Sequence, residues 1–88
     1  MPKPIPTREI ARRCLRRIQK WQAVPSFAEA ERDYTFFTSA FPEYELRLDE
    51  IMRGLHLLEA AGYIRLEFTQ PHAPEVFRVR YLEEVVPA

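Results

Sequence analysis

The chain has 88 residues, of which 47% are hydrophobic and 30% are charged. A chain of this length holds one small core, so two domains are excluded, and its apolar content is too high for a disordered protein. The formal net charge is zero, but residues 1–20 contain seven Lys or Arg residues and only one acid, Glu9. The neutral total therefore does not exclude a basic surface.

Several functional classes are disfavoured by what the sequence lacks. It contains no apolar run of about 18 residues and no signal-peptide core, so we expect a cytoplasmic protein without membrane contact. Cys14 is the single cysteine and is expected to be a buried, unreactive thiol, and the two histidines are too few for a metal cluster. Without a Gly-rich phosphate loop or a recognisable nucleophile and base, we expect no enzyme, cofactor or small-molecule substrate.

The N-terminal part of the chain predicts an extended arm followed by a helix. Prolines at positions 2, 4 and 6 favour an extended arm over residues 1–6, and Thr7 can N-cap a helix from Arg8 to about Trp21. Apolar residues at positions 10, 11, 14, 15, 18 and 21 fall on one arc of this helix, so its other side is strongly positive. The positive side consists of Arg8, Arg12, Arg13, Arg16, Arg17 and Lys20.

A second helix is predicted after a short connection over residues 22–25, which has room for one or two residues of extended pairing. Ser26 and Glu29 match an S-x-x-E capping box, which places the helix from Phe27 to about Ser39. Its predicted core side carries residues 27, 30, 34, 37 and 41. Phe36 lies on the opposite side, where it is either covered by a neighbouring segment or exposed for a partner.

The C-terminal half changes its periodicity from 3.6 to 2. Leucine, isoleucine and methionine at positions 48, 51, 52, 55 and 58 predict a third helix over about 47–61, in which Gly54 permits close approach of another helix and Gly62 provides the C-terminal cap. Apolar residues then alternate with polar ones at 64–68 and at 77–81. These two segments predict an antiparallel hairpin around a proline-containing loop, residues 69–75.

This element order and the motif L-x-x-L-E-x-x-G-Y-I resemble the winged-helix branch of the helix-turn-helix family. The matching residues are Leu55, Leu58, Glu59, Gly62, Tyr63 and Ile64. The resemblance covers residues 7–82 and implies an α+β fold, a three-helix bundle with a C-terminal two-stranded antiparallel wing. Residues 83–88 are then a C-terminal tail.

The resemblance also implies a small stand-alone protein that binds double-stranded DNA and acts in transcriptional or other DNA-level regulation, as a homodimer or with a partner. The third helix would be the recognition helix and residues 69–75 the wing tip. By position, the groove contacts would be Arg47, Arg53 and His56, and the backbone contacts beside the wing would be Gln70, His72, Arg78 and Arg80. The basic first helix would extend the positive surface through Arg12, Arg13, Arg16 and Arg17.

The third helix departs from a typical DNA-reading helix because acids surround its start. Glu43, Glu45, Asp49 and Glu50 favour the positive end of the helix dipole but repel phosphate. The alternative function is therefore a protein-interaction module, an adaptor or inhibitor of a nucleic-acid machine. Its interface would be formed by Phe36, Asp49, Glu50 and Leu57.

Two further alternatives concern the charged side chains. The basic side of the first helix is either a solvated surface partly paired with acids, a nucleic-acid contact or a site for a protein partner. Arg47, Arg53 and His56 either contact DNA or form surface ion pairs with Asp49, Glu50 or Glu59 on the same helix.

Overall fold

The computed structural model describes residues 5–82, which form an α+β fold of three helices and one three-stranded antiparallel sheet. The elements in chain order are α1 (Thr7–Trp21), β1 (Arg32–Asp33), α2 (Thr35–Thr38), α3 (Leu48–Ala60), β2 (Ile64–Glu67) and β3 (Val76–Tyr81). Residues 1–4 of the predicted arm and the predicted tail, 83–88, lie outside the described residues. Ile5, at the end of that arm, packs partly buried against the core.

The first helix begins one residue earlier than predicted. Thr7 is already helical, so its predicted role as the N-cap is wrong, and Pro6 occupies that position with an extended backbone. Proline is suited to this place because it cannot donate a backbone hydrogen bond, while its carbonyl still accepts from the N–H groups of Glu9 at 2.9 Å and Ile10 at 3.1 Å. The predicted apolar arc packs inward, with Cys14 and Ile18 fully buried, except at its end, where Trp21 is 37% exposed.

The second helix is much shorter than predicted. The Ser26 carbonyl accepts from the N–H groups of Glu29 and Ala30, but this turn does not continue into a helix. The chain instead extends at β1, where Arg32 pairs with Phe77 of β3. Extended pairing with β3 is incompatible with a helix through the same residues, so α2 begins only at Thr35 and spans four residues. The extended pairing therefore lies at 32–33 and not at 22–25.

Helix α3 and its ending agree closely with the sequence prediction. Gly54 faces α1, and a Cβ atom there would lie 2.6 Å from Ile10 Cγ2 and 3.1 Å from the backbone nitrogen of Ala11. Gly62 has a φ of 86°, and the N–H groups of Gly62 and Tyr63 donate to the carbonyls of Glu59 and Leu58, both at 3.0 Å. This pattern is a Schellman cap, which requires a left-handed residue and therefore favours glycine.

Strands β2 and β3 form the predicted antiparallel hairpin, with Leu66 opposite Val79. The sheet has three strands instead of two because β1 joins the other edge of β3, which gives the order β1-β3-β2. The sheet covers the helices, and the shared core is aromatic, as predicted, with Phe37, Phe41 and Phe77 fully buried. This order of helices and strands is compatible with a winged helix.

Candidate nucleic-acid interface

Two of the arginines on the outer side of α1 are paired with its single acid. The Glu9 carboxylate accepts from Arg12 and from Nε of Arg13, the latter at 2.9 Å. The hydrogen bond from Arg13, followed by that from Arg12, lowers the pKa of Glu9 below its usual value. Conversely, Glu9 raises the pKa of Arg13. The single negative charge of α1 is therefore neutralised by arginines about one turn away on the same helix.

A third arginine of α1 is held by aromatic and backbone groups instead of acids. Nε of Arg17 donates to the carbonyl oxygen of Phe36 at 2.6 Å, and its guanidinium lies 4.4 Å from the centre of the Phe36 ring. The same guanidinium is 6.0 Å from the ring of Trp21. Contacts of this kind fix the side chain without neutralising its charge.

The same contacts settle the two alternatives for Phe36. Its ring is half-buried against Trp21, Phe27 and Phe37, at centroid distances of 6.0, 5.8 and 5.0 Å. Arg32 covers it further at 5.0 Å. Phe36 is thus covered in part by neighbouring segments, which is the first of the two alternatives, and its role in a protein interface stays a prediction.

An open groove of about 490 Å³ runs between α1 and residues 40–43, and we call it the α1 groove. Its cations are Arg13, Arg16, Arg17 and Lys20. Its two acids, Glu9 and Glu43, both pair with Arg13, with the Glu43 carboxylate at 3.7 Å. Within residues 5–82, neither Arg16 nor Lys20 forms an ion pair. The groove therefore keeps a net positive charge.

The outer face of α3, formed by Arg47, Asp49, Glu50, Arg53, His56 and Leu57, is electrostatically different. Asp49 pairs with Arg47 at 3.8 Å and with Arg53 at 3.4 Å. The Glu50 carboxylate accepts from the backbone N–H of Arg47 at 2.9 Å and so satisfies one of the free donors at the helix start. Both arginines expected to contact DNA are thus engaged with a carboxylate of their own helix.

Helix α3 contacts the hairpin through the residues near its C-terminal end. Nδ1 of His56 is 3.5 Å from the Glu59 carboxylate, and its ring stacks on Phe68 at 6.2 Å. The other Glu59 oxygen accepts from the backbone N–H of Leu66 in β2 at 3.0 Å. Leu57 is 41% exposed, as expected from the sequence. These contacts join α3 and the start of the wing loop into one continuous surface.

The wing is tied to Glu31, a residue that the sequence prediction did not identify. Its carboxylate accepts from the hydroxyl of Thr69 and from Nε2 of Gln70, the latter at 3.2 Å, and lies 4.0 Å from Arg78. Arg80 pairs with Glu67 across the hairpin at 3.0 Å. Glu31 immediately precedes β1, so a sequence prediction that placed residue 31 inside a helix could not bring it to the wing.

His72 and Cys14 have the exposure and the burial that the sequence predicted. His72 is exposed in the loop between β2 and β3, as expected for a wing tip. Cys14 is fully buried, and burial raises the pKa of its thiol to about 12, which keeps the thiol protonated and unreactive.

Arg32 was not predicted to have a role. It is half-buried, and its guanidinium lies 3.9 Å above the Phe27 ring, where desolvation lowers its pKa.

Comparisons with family models, curated proteins and solved structures give no match, so the surfaces described above are interpreted from their own chemistry. In the described range 5–82, no helix is long and apolar enough to cross a membrane. The same range contains no cluster of three or more His, Cys, Asp or Glu side chains arranged to hold a metal ion.

Proposed function

We propose that the chain is a winged-helix module that binds double-stranded DNA in the cytoplasm and acts in DNA-level regulation, as a homodimer or with a partner. The observation that carries this proposal is the continuity between α3 and the wing, made by the His56–Phe68 stack and the Glu59–Leu66 hydrogen bond. It gives one surface from which Arg53 can approach a groove while Arg78 contacts the adjacent backbone. The role is binding and not catalysis.

The ion pairs on this surface set the expected strength of binding. Phosphate must displace Asp49 from Arg53 and Glu31 from Arg78. Exposed ion pairs of this kind contribute only about 0–1 kcal/mol each, so displacement is possible at a modest cost. The released carboxylates remain close to the phosphates and repel them. Duplex affinity should therefore be moderate and should fall steeply with salt.

Fluorescence anisotropy with a labelled mixed-sequence duplex tests this function, with titrations at several salt concentrations. Each phosphate contact contributes about −0.9 to the slope of log K against log salt. Arg53→Ala and Arg78→Ala should each reduce the magnitude of this slope by about 0.9. Arg8→Ala is the matched control, because Arg8 is an exposed cation of α1 outside the proposed surface. Absence of duplex binding, or equal binding by all three variants, excludes the proposal.

A second candidate function is favoured by the exposed Leu57 beside an α3 face whose arginines are occupied by Asp49. Such a face fits a protein partner with a basic, partly apolar surface, as an adaptor or inhibitor would require. An affinity capture from source lysate would compare two variants, one with the charges of Asp49 and Glu50 reversed and one with Leu57→Ser. A partner that remains bound to both variants eliminates this face as the interface. Glu45→Lys, an acid outside α3, serves as the control.

A further inference from the structure

We propose that the α1 groove is a separate binding site for single-stranded nucleic acid, in which the cations hold the phosphates and Trp21 stacks a base at one end. This site lies on α1 and is independent of duplex binding by α3 and the wing. The strand is recognised by its backbone charge and by the flat face of a base, so no sequence preference is required.

The spacing of the cations matches a phosphodiester strand. Arg16 and Arg17 lie three and four residues after Arg13, and Lys20 lies four and three residues after them, so the four cations form a row along one side of the helix. At a rise of 1.5 Å per residue, the row from Arg13 to Lys20 is about 10 Å long. Successive phosphates of one strand are about 3.4 Å apart along a duplex axis and farther apart in an extended strand. The row can therefore contact about three phosphates.

The groove is also preorganised. Arg17 is fixed by the carbonyl and ring of Phe36, and Arg13 lies 5.1 Å from the Phe41 ring with Nη1 3.5 Å from the carbonyl of Ala40. These two guanidinium groups line the wall of the groove before any ligand arrives, which lowers the entropy lost on binding. Arg16 supplies a positive charge that no carboxylate among residues 5–82 neutralises.

The groove is large enough for a short stretch of a single strand. A volume of about 490 Å³ is comparable to the site for a drug-sized ligand, which is enough for a short stretch of one backbone. Of the two acids on the groove, Glu43 is 67% exposed at its side chain and pairs with Arg13, so it forms a charged rim and not a barrier inside the groove.

Trp21 completes the combination that single-strand sites use, a cationic channel with an aromatic platform. It lies beside the groove, because the guanidinium of Arg17 in the groove lining is 6.0 Å from its ring. Trp21 is 37% exposed and makes an edge-to-face contact with the Phe36 ring at an interplanar angle of 66°. An acidic peptide would place carboxylates on the same cations, as Arg clusters allow, but it carries no base that stacks on Trp21. The uncharged residues lining this groove are only Ala40 and Pro42.

Because Trp21 is the only tryptophan in the chain, intrinsic tryptophan fluorescence reports on the surroundings of this side chain, beside the α1 groove. The probe is an unlabelled single-stranded oligothymidylate of about 12 nucleotides. We expect quenching of Trp21 fluorescence, with a slope of log K against log salt near −2, since each of about three contacts contributes about −0.7. Arg16→Ala should reduce the slope to about −1.4. Arg8→Ala, at an exposed position of α1 outside the groove lining, should leave the slope unchanged.

The aromatic contribution is tested with a dye-labelled oligothymidylate and Trp21→Ala, with circular dichroism to confirm that the variant is folded. Loss of one stacked base should weaken binding about 5- to 150-fold. The proposal is overturned if single strands leave Trp21 fluorescence unchanged, if Arg8→Ala and Arg16→Ala weaken binding equally, or if polyglutamate of equal charge binds as tightly as the oligonucleotide. Duplex binding that responds only to Arg53→Ala and Arg78→Ala supports the proposed function alone, so the two failures are distinguishable.

Discussion

The outer sides of α1 and α3 both carry arginines, yet only on α1 do some of them lack a carboxylate partner within residues 5–82. On α3, Asp49 occupies Arg47 and Arg53 together. On α1, Glu9 is the only acid, and Arg17 is held by a carbonyl and aromatic rings that leave its charge uncompensated. The number of arginines on a helix is therefore a poor measure of its affinity for phosphate. The groups that hold each guanidinium decide whether its charge is available.

The two surfaces also face different neighbours because α1 and α3 pack against each other through their small residues. Gly54 on α3 meets Ile10 and Ala11 on α1, so the inner sides of both helices are in contact and their charged sides point elsewhere. The α1 groove borders residues 40–43, whereas the outer face of α3 borders the hairpin. This separation allows a duplex site and a single-strand site to be tested independently.

The largest effect should come from filling the contact between the two helices. In Gly54→Val, the new Cβ would lie 2.6 Å from Ile10 Cγ2 and 3.1 Å from the Ala11 backbone, which cannot yield. Overpacking of this kind costs about 1–3 kcal/mol, and a loss of 2 kcal/mol lowers Tm by about 8–16 °C in a domain of this size. Thermal unfolding measures the change. Ala60→Val, at an exposed position of α3, is the control and should shift Tm little.

Removing Asp49 tests whether its pairing makes α3 differ from α1. Asp49→Ala releases Arg47 and Arg53 and removes a charge that repels phosphate, so duplex affinity should rise about three- to tenfold. Anisotropy titration at low salt measures this change. Glu45→Ala, which removes an acid that pairs with no cation among residues 5–82, should produce a smaller increase. Unchanged affinity in Asp49→Ala would show that the outer face of α3 does not approach DNA.

Local patterns predicted α1, α3 and the hairpin because their signals lie within the elements themselves. The apolar spacing of α3 and the glycine at 62 are sufficient for a helix with a Schellman cap. The capping signal at Ser26 predicted a long second helix that does not form. Arg32 pairs instead with Phe77, which is far along the chain, and this long-range pairing overrides the local helix preference. The same long-range pairing brings Glu31 to the wing, so that contact could not be predicted either.

Glu31 holds the wing in the way that Asp49 holds the arginines of α3. In Glu31→Ala, the hydroxyl of Thr69 and the amide of Gln70 lose their acceptor and Arg78 loses its partner. The free energy of unfolding should fall by about 1 kcal/mol, since these groups are exposed and water replaces the lost contacts. Hydrogen exchange should accelerate at residues 69–75 more than in α3. Glu29→Ala, in an exposed acid of the same turn region, should leave exchange in the wing unchanged.

The smallest effect concerns the one carboxylate on α1. Arg13 and Arg12 lower the pKa of Glu9 below its ordinary value of 4.5, with Arg13 as the larger contributor. A carboxyl with a lowered pKa in the folded state adds stability above its unfolded pKa, and this stability is lost as the pH falls through the folded value. An NMR titration of the Glu9 carboxyl carbon should therefore give a midpoint below 4.5. Arg13→Ala should raise this midpoint more than Arg12→Ala. Equal shifts would mean that Arg12 holds the Glu9 carboxylate as closely as Arg13 does.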